Sequence, residues 1–212
     1  MGEIDPLSDE DLQRVRLEPV TPHDGTILLV DSDPEWPTLF AREAARIREV
    51  LGPAVIRLEH AGSTSVPGLV AKPIIDIVLV VPDSSDEPSY VPVLTAAGYR
   101  LVIREPGWFE HRVFKGPDTD ITMHVFTEGA AEIDRMLRFR DRLRADERDR
   151  ELYARTKRML AGRRWRHVQH YAQAKSEVVN QILLHASDRV DESARRRVLD
   201  EAAAALNDED MP

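Results

Sequence analysis

The sequence predicts an α+β fold: a mixed β-sheet flanked by helices, continued by a helical extension. Three observations carry this. Five short runs between residues 55 and 127 are rich in β-branched and apolar side chains and are parted by turn residues. One of them, residues 74–81, is apolar almost throughout, the pattern of a strand covered on both faces. From Ala130 onward the apolar spacing becomes helical. Strands in succession followed by helices in succession give an α+β core with a helical subdomain.

Composition narrows the class. The chain has 212 residues, 29 Lys+Arg against 38 Asp+Glu, 42% hydrophobic and 32% charged residues, and a formal charge of −9. That is globular, and it excludes a disordered or fibrous chain. With no cysteine there is no disulfide framework, cysteine zinc site or thiol nucleophile. No purely apolar run exceeds the length of residues 77–81, far short of the ~20 residues a bilayer span needs. The first residues are acidic and lack the apolar stretch of a secretory signal. The expectation is a cytoplasmic protein with no membrane partner. Charge is uneven: residues 135–166 hold 13 Lys or Arg against 5 Asp or Glu. Such a stretch suits a phosphorylated small ligand or a solvated, ion-paired helix surface. The acidic balance of the whole and the lack of an aromatic stacking platform argue against nucleic acid as a partner.

The elements follow in order. Residues 1–26 are polar, acidic and proline-containing, and read as an arm or a loosely held lead-in. Residues 27–30 read as a short strand. Asp33-Pro34-Glu35 reads as a helix start with Asp33 as N-cap, and Trp36, Leu39, Phe40, Ala44, Ile47, Val50 and Leu51 keep helical spacing up to Gly52-Pro53. Residues 55–59 form a strand, residues 60–73 a loop of small and turn residues, and residues 74–81 the buried strand. A helix spans 88–97 and ends at Gly98. Three strands follow at 99–104, 109–115 and 121–127, with turns at Pro106-Gly107 and Gly116-Pro117. Helix breaks fall near Asp146, Gly162 and Ser187. The predicted organisation is an arm (1–26), an α/β core (27–128), a helical extension packed on it (129–186) and a charged, Ala-rich helix or tail (187–212).

The chemistry is concentrated between Glu59 and Asp76. A strand enters the turn Gly62-Ser63-Thr64-Ser65, and the next strand carries a carboxylate, Asp76, in an otherwise apolar run. Gly62 allows close backbone approach to a phosphate, and successive N–H groups can form an anion nest. The hydroxyls of Ser63, Thr64 and Ser65 can donate to phosphate oxygens, and Lys72 adds positive charge. Asp76 suits Mg²⁺, a hard cation that takes carboxylate and phosphate oxygens. A charge in a buried strand is costly unless it is paired or metal-bound, so Asp76 is a ligand-binding group or a structural ion-pair partner. No Gly-x-x-x-x-Gly-Lys-[Ser/Thr] loop occurs.

Several stretches resemble the GrpB family of the nucleotidyltransferase superfamily: Asp33-Pro-Glu-Trp36 with Phe40; Glu59-His60-Ala-Gly62-Ser63-Thr64-Ser65-Val-Pro67-Gly68 continuing to Ala71-Lys72-Pro73-Ile-Ile-Asp76; Met123-His124-Val125; the run Leu137 to Arg144; and Tyr171 with Lys175. The resemblance covers about residues 27 to 186. It implies a nucleotidyltransferase-type sheet in which Gly62-Ser63 grips a nucleoside triphosphate and Asp76 binds Mg²⁺, for transfer of a nucleotidyl or phosphoryl group to a small polar acceptor. The family is also known as an appendage to dephospho-coenzyme A kinase.

Two positions depart from the superfamily pattern. Val78 stands where a second carboxylate is usual, and alternation puts it on the face of Asp76. Thr122 stands where the family tends to carry the first histidine of His-x-His, leaving His124. Glu59 and His124 are the candidates to complete a metal site with Asp76, and His124 is a candidate base or a hydrogen-bonded structural residue. Arg112, Arg140 and Lys175 are candidate phosphate contacts; Arg112 is equally consistent with an ordinary ion pair and Arg140 with a solvated helix face. The second implied reading is a non-catalytic nucleotide or phosphometabolite-binding module that has lost the second carboxylate.

Overall fold

A computed structural model describes residues 6–186, and the predicted Ala-rich tail lies outside the described residues. The elements are α1 (Asp9–Val15), α2 (Trp36–Leu51), β1 (Arg57–Ala61), β2 (Ile75–Val81), α3 (Val91–Ala96), β3 (Arg100–Glu105), β4 (His111–Lys115), β5 (Ile121–Thr127), α4 (Ala131–Ala145), α5 (Glu147–Ala161) and α6 (Val168–Ala174). Helical turns continue over 176–186. Among the described residues no helix is long and apolar enough to cross a membrane.

The five strands form one mixed sheet in the order β1-β2-β5-β4-β3. Only β2 and β5 run parallel; the other pairs are antiparallel. The apolar run of β2 is explained by its inner position: Ile75, Ile77, Leu79 and Val81 pack with Ile47, Leu51, Leu94 and Phe114 under α2 and α3. Val78 and Val80 face the opposite way, against Ile133 and Leu137 of α4. A third cluster joins the loop residues Val66, Leu69 and Val70 to Leu143, Tyr153, Val178 and Ile182 of the helical extension. That cluster docks the extension onto the loop after β1.

Several expectations change. The arm is not loose. Ser8 and Asp11 form a reciprocal capping box for α1, Leu12 is buried, Arg16 bridges Ile103 of the edge strand, and Asp9 pairs with Arg166 and His167. Residues 27–30 do not form a strand, because Ile27 bonds the carbonyl of Ala161 while Val30 bridges Ala71; two different partners leave no ladder. Asp33 is not the N-cap; it accepts from the Glu35 amide in a turn, and the helix starts at Trp36. The first core strand lies two residues later than expected, so His60 and Ala61 belong to it. The helix at 88–97 is split at Tyr90, whose hydroxyl is held by the Ser84 carbonyl. β4 starts at His111, because Phe109 and Glu110 take left-handed backbone in the preceding turn.

Candidate functional site

The site begins with register. On the sheet face turned toward the helical extension, Asp76 of β2 lies between Ala61 of β1 and Thr122 of β5. Glu59, Val78 and His124 form the next row. After β1 the chain turns at Gly62, which has a φ of 63°, into a single 3-10 turn over Ser63–Ser65. A Cβ built on Gly62 would lie 2.0 Å from Asp76 Oδ2. The glycine is therefore required by the approach of the Asp76 side chain, not only by the turn.

Helices of the extension close the space above Asp76. Ser63, Thr64, Lys72, Ile74, Asp76, Thr122, Lys157, Tyr171 and Lys175 line a small cavity of about 130 Å³. Three ammonium groups thus face one carboxylate. Lys157 is buried and donates to the Val70 carbonyl. Lys175 lies over the Tyr171 ring, 4.5 Å from its centroid. Lys115 borders the same region and donates to Thr122 Oγ1 at 2.9 Å. The Tyr171 hydroxyl is buried without a hydrogen-bond partner. Among the described residues, the side chains of Asp76, Lys72 and Lys175 make no hydrogen bond or ion pair within normal distance limits.

Electrostatics follow from this packing. Burial pushes the Asp76 carboxyl up, against the opposing pull of Lys72, Lys175, Lys115 and Lys157. Burial, then the neighbouring lysine, lowers the Lys157 ammonium to about 7; burial lowers Lys175 to about 8. Burial lowers Lys72 as well. Folded Lys157 and Lys175 hold fewer protons than the unfolded chain between these values and 10.5. Stability of the ligand-free protein should therefore rise as pH is raised from 7 to 9. A melting series in anion-poor buffer checks this, with an expected gain of a few °C on the usual scale for a chain of this size; a flat or falling series would contradict the burial of these ammonium groups.

The sequence-derived candidates divide. Gly62, Ser63, Thr64, Lys72, Asp76 and Lys175 come together. Thr64 nonetheless has its hydroxyl committed: it donates to the Ile74 carbonyl at 3.2 Å, so His60 Nε2–H donates to it at 3.0 Å. Ser65 donates to the Gly62 carbonyl at 2.6 Å and so shapes the turn. Arg140 is not a cavity residue; it bonds Glu59, Asp141 and the His60 carbonyl and, with Arg144 on the Ser65 carbonyl, holds the turn from behind. Arg112 lies on the other face of the sheet, paired with Glu87 and Glu110.

The expected metal trio is not assembled. Glu59 is engaged by Arg57 and Arg140. His124 does not line the cavity. Its Nδ1 lies 3.0 Å from His111 Nε2, and His111 Nδ1 lies 2.7 Å from Glu105 Oε2, so the histidine ends a buried polar chain. Burial, then His111 and Lys115, hold it neutral with a pKa of about 3. Among the described residues no cluster of three His, Asp or Glu side chains is arranged for a metal ion.

Lys157 is the cavity residue that sequence reasoning missed. The signal was there: on α5 it stands four residues after Tyr153 and three before Leu160, a lysine within the buried stripe. Tyr153 was also missed; it is buried on the same helix, one turn before Lys157.

Comparison with known proteins places these features in a family context. The family model described as "GrpB protein" matches residues 26–185. A UPF0157 protein of Halalkalibacterium halodurans is 62% identical over 182 residues, covering 86% of this chain and 93% of its own. The crystal structure of the conserved protein GrpB from Enterococcus faecalis superposes with a TM-score of 0.66 at 28% identity, covering 77% of this chain and 99% of that one. A dephospho-CoA kinase of Mycolicibacterium paratuberculosis is 38% identical over 76 residues, which is 34% of this chain but 19% of the kinase.

Proposed function

The chain belongs to the GrpB family, and on that premise we propose that its lysine-lined cavity binds the phosphate end of a nucleotide or other phosphorylated metabolite. The observation that carries this is the convergence of Lys72, Lys157 and Lys175 on a cavity that also holds Ser63 and an unsatisfied Tyr171 hydroxyl. Three ammonium groups, Lys157 buried and Lys72 and Lys175 half-buried, crowd a single carboxylate, and an incoming oxyanion offsets the cost of that excess positive charge. At about 130 Å³ the cavity is well below the ~300–1,000 Å³ of a site that engulfs a drug-sized ligand. It suits one oxyanion group, with the rest of the ligand outside.

The donor set does not fit a protein-held Mg²⁺ centre. Asp76 is the one carboxylate in the cavity, Val78 supplies no oxygen, and the remaining charges there are ammonium groups that repel a divalent cation. This favours the binding module over a two-metal transferase. One observation keeps the transferase reading as the second: Asp76 stands beside Ser63 with its carboxylate unengaged, the arrangement that the superfamily resemblance implies for nucleoside triphosphate chemistry on a small polar acceptor.

The test is calorimetric titration of ATP, GTP, CTP and UTP, each with and without Mg²⁺. The module reading expects binding without Mg²⁺, little preference among bases, and a roughly 10–100-fold loss of affinity in Lys72→Ala. Binding that requires Mg²⁺ and selects one base would put the transferase first. Absence of binding by folded protein would overturn both.

A further inference from the structure

The cavity contains a group that an ordinary anion site avoids. Three lysines, a serine and a tyrosine are all donors toward an anion, yet Asp76 stands among them. Its carboxylate makes no hydrogen bond or ion pair with any described residue. It is also held in place: the Gly62 backbone lies directly against it, in space that any other residue's Cβ would occupy. A fixed, unengaged acceptor in a field of donors is complementary to an anion that itself carries a proton to donate.

Resting on the phosphate-binding reading above, we propose that Asp76 is the specificity-determining residue of the cavity: it accepts a hydrogen bond from a P–OH, which free hydrogen phosphate already carries and a phosphate ester, with a second pKa of about 6, gains by taking up a proton on binding, and so it excludes oxyanions that cannot be protonated near neutral pH. In this arrangement Lys72, Lys175 and the orphaned Tyr171 hydroxyl donate to the charged phosphate oxygens, and the P–OH points at Asp76. No bond is broken and no proton leaves the ligand. Sulfate has nearly the size and shape of hydrogen phosphate and the same double charge, but it has no O–H at neutral pH. In the same pose it sets a bare oxygen against the carboxylate, so two negative groups meet in a poorly solvated space. Sites that hydrogen-bond one ligand group reject the analogue lacking it far more strongly than apolar pockets reject a missing methylene.

The experiment is isothermal titration of the wild-type chain with sodium phosphate and with sodium sulfate, at pH 7.5 and matched ionic strength. Phosphate is expected to bind at least ~100-fold more tightly than sulfate. In Asp76→Asn, whose amide can donate, the preference should collapse to within a few-fold and sulfate affinity should rise. Equal binding of the two anions by the wild type overturns this proposal and leaves the phosphate-binding reading standing. Binding of neither overturns both. An Asp76→Asn variant that is folded by circular dichroism and still discriminates also overturns it. Should that variant not fold, the wild-type ratio alone decides.

Discussion

Gly62→Ala is expected to destabilise the protein by about 3 kcal/mol or more, among the larger effects of a single methyl group. Two causes add. An L-residue at a φ of 63° costs roughly 1–2 kcal/mol. The new Cβ would also meet Asp76 at 2.0 Å from Oδ2, 2.7 Å from Cγ and 2.8 Å from Cβ. Rotating the carboxylate away relieves only the first two contacts, because the Asp76 Cβ is fixed by the inner strand β2. Denaturant unfolding measures the cost, and a loss below 1 kcal/mol would mean that the turn and strand separate easily. The contact predicts coupling as well. Gly62→Ala combined with Asp76→Ala should cost less than the sum of the two single changes, by about 1 kcal/mol or more, since the nearest atoms are then gone.

Lys157→Met should separate stability from binding. At pH 6, below its lowered titration point of about 7, Lys157 is a buried charge facing Lys72 and Lys175. Methionine fills similar space without charge. The substitution leaves the Val70 carbonyl unpaired, a loss of about 1–3 kcal/mol. Release of a desolvated, repelled ammonium outweighs it. The melting temperature at pH 6 should rise by a few °C, while affinity for phosphate should fall by about 10–100-fold. Thermal melts and calorimetry on one preparation decide it. A variant that melts lower and binds normally would place the ammonium outside the cavity's chemistry.

Much of the architecture was legible because it depends on local periodicity. The β-branched runs of β2 and β5, the proline and glycine punctuation, and the helix break at Asp146 all appear where short-range patterns put them. The misses have a common cause in long-range pairing. The arm looked loose by composition, but Asp9 finds Arg166 and Leu17 finds the Val102 carbonyl across the fold. The site divides the same way. Gly62, Ser63, Lys72 and Asp76 are close in sequence and were readable as a unit. Whether an arginine reaches that unit depends on sheet face and helix rotation. Alternation along β4 cannot say which face points to the cavity, so Arg112 was a candidate until the register placed it opposite Val125 on the far face, where it pairs with Glu87. Arg140 lies on the correct side, but Glu59 and the His60 carbonyl claim it first. The role of Gly62 was legible only in half: the need for a small residue was visible, but the neighbour requiring it is a carboxylate fourteen positions on.

The cavity's walls come from segments that meet only when the chain is complete. Asp76 and Thr122 are carried by the sheet, whereas Lys157, Tyr171 and Lys175 are carried by α5, α6 and the turn after it. An anion bound there would act as a rivet between the two layers. Its binding free energy is then also docking free energy for the extension, and saturating phosphate at 100 times its dissociation constant would add about 2.7 kcal/mol to the cohesion of the whole. Hydrogen exchange in α5 and α6 would slow on occupancy even at amides far from the ligand, so the extension itself becomes the reporter of the bound state.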